Sequence, residues 1–211
     1  MLKLEFGKYF HVYNRGNNRE DLFKEDRNYE FFLRLYWKYI LPVAETFAYC
    51  LMPNHFHFLI RIREKEEIQT WNKPDRSSVG YSQARPVRFR ELNPTQQFSN
   101  LFNSYTKSIN EAYNGTGNLF KRPFQRRDVT SERYFTELIL YIHFNPQKHR
   151  LSKDFRDYPY SSYRAFLDST RTDLSRVEVL RWFGGVESYQ SIHTDAWKER
   201  TDWNLDIDLE S

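Results

Sequence analysis

Residues 43–63 read VAETFAYCLMPNHFHFLIRIR, and this stretch decides the fold. It contains two apolar, strand-like runs, Val43 to Met52 and His55 to Arg63, which are joined by Pro53 and Asn54. A connection this short suits a hairpin with antiparallel pairing. The two runs are therefore predicted to form the centre of an antiparallel sheet.

Further strands and helices are predicted on both sides of the hairpin. Before it, the strand-like run Lys8 to Tyr13 ends in a turn, and apolar residues then recur at helical spacing from Asp26 to Ile40. The predicted elements after it are a helix that starts within residues 93–95 (NPT) and closes at residues 114–117 (NGTG), a basic strand over Leu119 to Val129, and a third helix capped by Thr130-Ser131 and ended by Pro146.

This order of elements predicts an α+β fold. Hairpin strands combined with helices that pack on one side of the sheet favour a ferredoxin-like layout. The polar stretch 64–94 lacks periodicity and is predicted to be a long loop or insertion without core residues. Two short helices, Ser175 to Phe183 and Val186 to Lys198, are predicted around Gly184 and Gly185. We expect residues 1–165 to form the main domain and residues 166–211 a C-terminal helical appendage.

Composition limits the class of protein. The chain has 211 residues, of which 18% are aromatic, so one principal globular domain with an aromatic core is expected. A formal net charge of +4 favours the binding of a polyanionic partner. Cys50 is the only cysteine, no basic start leads into an apolar segment, and no apolar run approaches the ~20 residues that a membrane helix needs. We therefore expect a cytoplasmic protein without an intramolecular disulfide or a membrane span.

Two histidines stand at the start of the second hairpin strand. Side chains alternate along a strand, so His55 and His57 face one side and Phe56 the other. A pair of neutral imidazoles can bind a metal and leave coordination positions for a third protein group, water and a substrate oxygen. The alternative is that both histidines are structural and form hydrogen bonds within the sheet.

The stretch from Met52 to Ile60 resembles the signature of HUH single-tyrosine transposases, in which two histidines flank a bulky apolar residue. The resemblance is strongest to the REP-associated tyrosine transposases. Residues 10–16 (FHVYNRG), 120–124 (FKRPF) and 141–146 (YIHFNP) support it, so that it covers about residues 8 to 165. The chain departs from a compact family member in the polar 64–94 segment, which separates the histidines from the third helix.

The resemblance implies an active site and a reaction. Tyr141 would be the nucleophile, and Asn145, one helical turn further along, the third metal ligand beside His55 and His57. The implied cofactor is Mg²⁺ or Mn²⁺, although such ligands would also permit Zn²⁺. The enzyme would cleave and rejoin single-stranded DNA, at hairpin or REP-like sequences, through a 5′-phosphotyrosine. His143 faces roughly away from Tyr141 and is expected to be a surface or packing residue.

Basic residues suggest where DNA binds. The main candidates are Lys121, Arg122, Arg126 and Arg127, and the weaker ones are Arg15 and Arg19 beside the turn after the first strand and Arg85, Arg88 and Arg90 in the insertion. Phe120 and Phe124 lie among them and could stack on bases. A solvated basic strand edge is the alternative.

Three functions stay open at this point. A transposase comes first, a non-catalytic DNA-binding protein second, and a metallohydrolase that does not need Tyr141 third. The expected partner is single-stranded or hairpin DNA, and the chain could act as a monomer or a homodimer.

Overall fold

The structure is a computed structural model that describes residues 3–68, 71–72, 89–90 and 92–199. The strands are β1 (Tyr9–Arg15), β2 (Ala44–Met52), β3 (His55–Ile62), β4 (Trp71–Asn72), β5 (Phe89–Arg90) and β6 (Gln125–Val129). The helices are α1 (Asp26–Ile40), α2 (Pro94–Tyr113), α3 (Glu132–Lys148), α4 (Arg176–Phe183) and α5 (Val186–Glu199). Among the described residues, no helix is both long enough and apolar enough to cross a membrane.

The main sheet has four antiparallel strands in the order β2-β3-β1-β6. This is the ferredoxin-like order, so the predicted α+β fold and the central hairpin are confirmed. The basic strand is shorter than predicted, because only Gln125–Val129 joins the ladder and Phe120 makes an isolated bridge to Gly16. Pro123, which has no backbone N–H to donate, lies between these two parts.

The helices cover both faces of the sheet, and the expectation that they pack on one side is wrong. Helices α1 and α2 share a core with Phe56, Phe58 and Ile60, whereas α3 packs on the opposite face with Leu59. The physical reason is that β3 is apolar on both of its faces. When both faces of a sheet are apolar, other elements must pack on each face to shield it from water.

Side-chain caps and a proline explain the helix ends. Asn93 and Ser131 accept hydrogen bonds from backbone N–H groups in the first turns of α2 and α3. Helix α3 does not end at Pro146 as predicted but continues to Lys148. Proline removes a single helical donor, and this close to the end the cost is small. The side chain of Asn145 also donates to the Tyr141 carbonyl oxygen and so supports this turn.

The two C-terminal helices form as predicted and pack against α3. Val179, Phe183 and Tyr189 belong to the same buried cluster as Tyr141 and Phe144. The division at residue 165 stays a prediction. Most of the 64–94 segment lies outside the described residues, and within it β4 pairs with β5.

Candidate active site

The two histidines of β3 lie at the start of the strand, on the face that α3 covers. The His57 side chain is fully buried, whereas His55 is partly exposed at the strand end. Their ring centroids are 5.4 Å apart and the rings are nearly perpendicular. Phe56 points into the core on the other face, as the alternation along the strand predicts.

Helix α3 places the tyrosine chosen from the sequence next to this pair. The ring of Tyr141 meets the ring of His57 edge to face, with centroids 5.5 Å apart, and its side chain is 4% exposed. Asn145 lies one turn further along and is fully buried. Its Nδ2 donates to the Tyr141 carbonyl oxygen over 2.9 Å, so the two residues lie on the same side of the helix.

Both histidines of the pair are neutral at physiological pH. Burial, the nearby His149 and Arg15 lower the pKa of His55 to about 3. Burial, His11 and His55 hold the pKa of His57 well below its usual value of 6.5. Burial disfavours the charged imidazolium, and neutral imidazole is the form that binds metals.

Three buried atoms at this site have no protein partner. They are Nε2 of His57, Oδ1 of Asn145 and Nδ1 of His11 on β1, and none of them has a hydrogen bond to any part of the chain that the structure describes. Buried polar atoms are normally satisfied, so such exceptions need an explanation. An imidazole nitrogen and an amide oxygen are both metal ligands, and the residues present therefore fit a divalent cation. The described residues contain no alternative metal site built from three His, Cys, Asp or Glu side chains.

Four further side chains at this site were not identified from the sequence. His11 and Tyr13 on β1 and Lys148 and His149 at the end of α3 all contact the chosen residues. The ammonium of Lys148 lies 5.5 Å from the centre of the Tyr141 ring, and the His149 ring lies 5.1 Å from that of His55. Helical spacing from Tyr141 is a signal that could have found Lys148 and His149, because steps of seven and eight residues return to one helix face.

Several of the predicted DNA-binding residues meet at the site end of the sheet. The Lys121 N–H donates to the Arg15 carbonyl oxygen over 2.8 Å, and the Asn17 N–H donates to that of Leu119. Arg15 also pairs directly with His55 across β1 and β3. Arg19, Lys121 and Arg122 are exposed. We call residues 15–19 and 119–122 the basic edge.

The expectation that Phe120 and Phe124 are available for stacking is wrong. Both rings are buried in the core beneath α1 and α2, where Phe102 contacts each of them. Arg126 and Arg127 point to opposite faces of β6. The Arg126 guanidinium lies over the Phe124 ring at 4.7 Å and is partly buried, whereas Arg127 is exposed. Arg85 and Arg88 lie outside the described residues, as does the side chain of Arg90.

His143 is a packing residue, as expected from its position on α3. Its Nδ1 lies 2.9 Å from Nε2 of His193 on α5, and its Nε2 lies 2.9 Å from Oγ of Ser162. The side chain is fully buried on the side of α3 that faces the C-terminal helices. It takes no part in the candidate active site.

Comparison with known proteins supports the motif-based resemblance. No protein-family model matches the chain. A Haemophilus influenzae protein provisionally named a REP-associated tyrosine transposase is 24% identical over 119 residues, which cover 56% of this chain and 58% of that protein. A solved structure of a REP-associated tyrosine transposase bound to a REP hairpin superposes with a TM-score of 0.55 at 17% identity, over 83% of this chain and 93% of the other. The chain therefore resembles these transposases in sequence and in fold.

Proposed function

We propose that this chain is a REP-associated tyrosine transposase that cleaves and rejoins single-stranded DNA with Tyr141 as its nucleophile. The observation that carries the proposal is the contact between Tyr141 and His57 of the histidine pair, with Asn145 on the same side of the helix. The two histidines come from one sequence motif, and Tyr141 and Asn145 come from another. Their convergence on one face of the sheet is what a tyrosine nucleophile beside a metal requires.

The reaction is an exchange of phosphodiesters. The Tyr141 oxygen bonds to phosphorus as the bond to the DNA 3′ oxygen breaks, and the phenol gives up a proton while the departing oxygen gains one. The products are a 5′-phosphotyrosine and a free 3′-hydroxyl. Since the ester energy is conserved, a 3′-hydroxyl can attack the phosphotyrosine in the reverse sense and rejoin the strand.

A divalent cation has a defined role in this proposal. His55, His57 and Asn145 would hold Mg²⁺ or Mn²⁺, which supplies a Lewis acid that polarises the scissile phosphate when bound. The chain's own contribution is to keep both imidazoles neutral and the asparagine oxygen unpaired. Burial keeps both imidazoles neutral, and the hydrogen bond from Asn145 Nδ2 to the Tyr141 carbonyl oxygen leaves the Asn145 side-chain oxygen unpaired.

The basic edge would bind the DNA. It adjoins the histidine pair through the register of Arg15 with His55, so a strand held there would lead into the candidate active site. Exposed Lys121 and Arg122 provide phosphate-neutralising charges. The related structure with a bound REP hairpin supports a hairpin as the partner of this chain as well.

The test is covalent trapping. Wild-type protein is incubated with single-stranded hairpin DNA and Mn²⁺, and we expect an adduct that survives denaturation and disappears in Tyr141→Phe. Tyr134→Phe is the matched control, because Tyr134 is on the same helix and outside the site, and this variant should keep the adduct. An adduct that persists in Tyr141→Phe would move the nucleophile to another tyrosine.

A non-catalytic DNA-binding protein is the second candidate, and the burial of Tyr141 favours it. With 4% exposure, the phenol needs a local opening before a phosphate can reach it. Absence of an adduct over a series of hairpins that bind the protein would support this alternative.

A further inference from the structure

His11 packs against the candidate metal ligand His57 and forms a hydrogen bond with it. It is on β1, fully buried, and its Nε2 is 2.9 Å from Nδ1 of His57. The two rings are nearly parallel, with centroids 5.1 Å apart, and the Tyr13 ring packs against both of them, 4.7 Å from the His11 centroid and 5.9 Å from that of His57. Tyr13 thus contacts both of the imidazoles that share the hydrogen bond.

The hydrogen bond couples the protonation sites of the two rings. When both imidazoles are neutral, one proton lies between His11 Nε2 and His57 Nδ1. If His57 carries it, Nε2 of His57 has a free lone pair. If His11 carries it, Nε2 of His57 is an N–H and cannot bind a cation. The choice between these two arrangements therefore determines whether His57 is a ligand.

We propose that His11 is a positioning residue that accepts the Nδ1–H of His57 and thereby keeps the Nε2 lone pair available to a divalent cation. The inference rests on the proposed function in its use of a metal. Metal-binding histidines generally donate their second N–H to a partner that sets the tautomer and the ring orientation. Asn145 Oδ1, a second acceptor at the site without a partner, points to the same arrangement, because two acceptors can share one cation. The third unpartnered atom, His11 Nδ1, carries the proton of that ring in this arrangement.

The partner here is a neutral imidazole where a carboxylate often serves. The His11 side chain is fully buried, an environment that disfavours a charged imidazolium. A carboxylate at this position would add a negative charge behind the cation and weaken its pull on a phosphate. His11 thus supplies orientation without reducing the positive charge that the DNA meets.

The test determines which imidazole nitrogen of His57 carries the proton in the metal-free protein. Long-range ¹⁵N NMR of the imidazoles at pH 7.5 should show His57 protonated at Nδ1 and unprotonated at Nε2, with His57→Gln used to assign the signals. His11→Phe keeps a ring of similar shape but removes the acceptor, and should abolish this preference. His11→Gln retains an acceptor and should preserve it.

Mn²⁺ affinity provides a second measurement. We expect a loss of about 10- to 100-fold in His11→Phe and a substantial recovery in His11→Gln. A wild-type His57 that is protonated at Nε2, or an unchanged Mn²⁺ affinity in His11→Phe, overturns the proposal. If wild-type protein binds no Mn²⁺, the metal in the proposed function fails, while the tautomer measurement still decides the role of His11. If His11→Phe does not fold, the wild-type tautomer and His11→Gln remain decisive.

Discussion

At the scale of single residues, the Asn145 amide is oriented by its own helix. Its Nδ2 donates to the Tyr141 carbonyl oxygen, so the side-chain oxygen is the atom left without a partner in the buried site. The hydrogen-bond network therefore distinguishes the two ends of the amide, which density alone rarely does. A residue with a single acceptor, held in one orientation, is suited to a ligand role.

Replacing Asn145 by aspartate should lower the stability of the metal-free protein but increase the stabilisation that Mn²⁺ produces. The carboxylate loses the Nδ2 donor and places a negative oxygen near the Tyr141 carbonyl, so without metal the variant should be less stable by about 1–2 kcal/mol. A bound cation relieves this repulsion. Thermal unfolding should therefore show a larger Mn²⁺-induced stabilisation in Asn145→Asp than in wild type, and none in Asn145→Leu. Equal Mn²⁺ responses in all three proteins would remove Asn145 from the ligand set.

Sequence patterns identify residues of this site only where the geometry is local. Alternation along a strand places His55 and His57 on one face, and one helical turn relates Tyr141 to Asn145. His11 could not be found in this way. Its contact with His57 depends on the register between β1 and β3, which pairs Tyr13 with His57 and sets His11 diagonally across. Register follows from the packing of whole strands and is not encoded in either segment alone.

At the scale of elements, the basic edge joins two segments that are about a hundred residues apart in the chain. Backbone hydrogen bonds from Asn17 and Lys121 hold the two segments together. The cations are thereby fixed relative to the histidine pair. Fixed cations bind phosphates without the loss of backbone entropy that a mobile loop would incur.

Removing Lys121 and Arg122 should lower the salt dependence of DNA binding. Each lost phosphate contact reduces the slope of log K against log salt by about 0.7 for a single strand. The double variant Lys121→Gln/Arg122→Gln should therefore bind hairpin DNA more weakly and with a slope shallower by up to about 1.4, twice the effect of one contact. Binding titrations at several salt concentrations measure this.

Exposed cations on α1 provide the control for that titration. Arg34 and Lys38 lie on a helix that covers the opposite face of the sheet from α3. The variant Arg34→Gln/Lys38→Gln changes the net charge by the same amount and should leave the slope unchanged. Equal slopes in wild type and the Lys121/Arg122 variant would mean that the basic edge does not contact phosphates.

The elements themselves were largely predictable, and their arrangement was less so. The helical periodicity of the apolar residues predicted both ends of α1, and N-capping residues predicted where α2 and α3 begin. The side of the sheet that α3 covers was not predictable from its own pattern. It depends on which strand face the other helices leave open, a property of the assembled sheet. The phenylalanines near β6 were misjudged for the same reason, since burial depends on neighbours distant in sequence.

At the scale of the whole molecule, a buried network ties the C-terminal helices to the helix that carries Tyr141. His193 Nδ1 lies 2.7 Å from the Tyr189 carbonyl oxygen, so this nitrogen must be the donor. Neutral His193 then accepts at Nε2 from His143 Nδ1–H, and His143 accepts at Nε2 from the Ser162 hydroxyl. The two bonds that are accepted at imidazole nitrogens, one at His193 Nε2 and one at His143 Nε2, require neutral rings. Protonated His193 would carry an N–H at Nε2. This N–H would face the N–H at Nδ1 of His143, and two donors cannot form a hydrogen bond with each other.

Acid should therefore destabilise the protein through His193. Burial lowers its pKa to about 3 in the folded state, whereas an unfolded chain has the ordinary value near 6.5. Between these values the unfolded state binds one more proton, so the contribution is complete above pH 6.5 and is lost as the pH falls toward 3. The slope is about 1.4 kcal/mol per pH unit well inside this window. Denaturant unfolding of wild type and His193→Gln from pH 7.5 to 5 measures the contribution of His193 together with its partner His143, because the histidines outside this network are common to both proteins and cancel. We expect His193→Gln to be less stable than wild type at pH 7.5 and to lose stability less steeply on acidification. Parallel pH profiles would mean that the pKa of His193 is the same in the folded and the unfolded protein and that the network does not hold the C-terminal helices on α3 in the manner described.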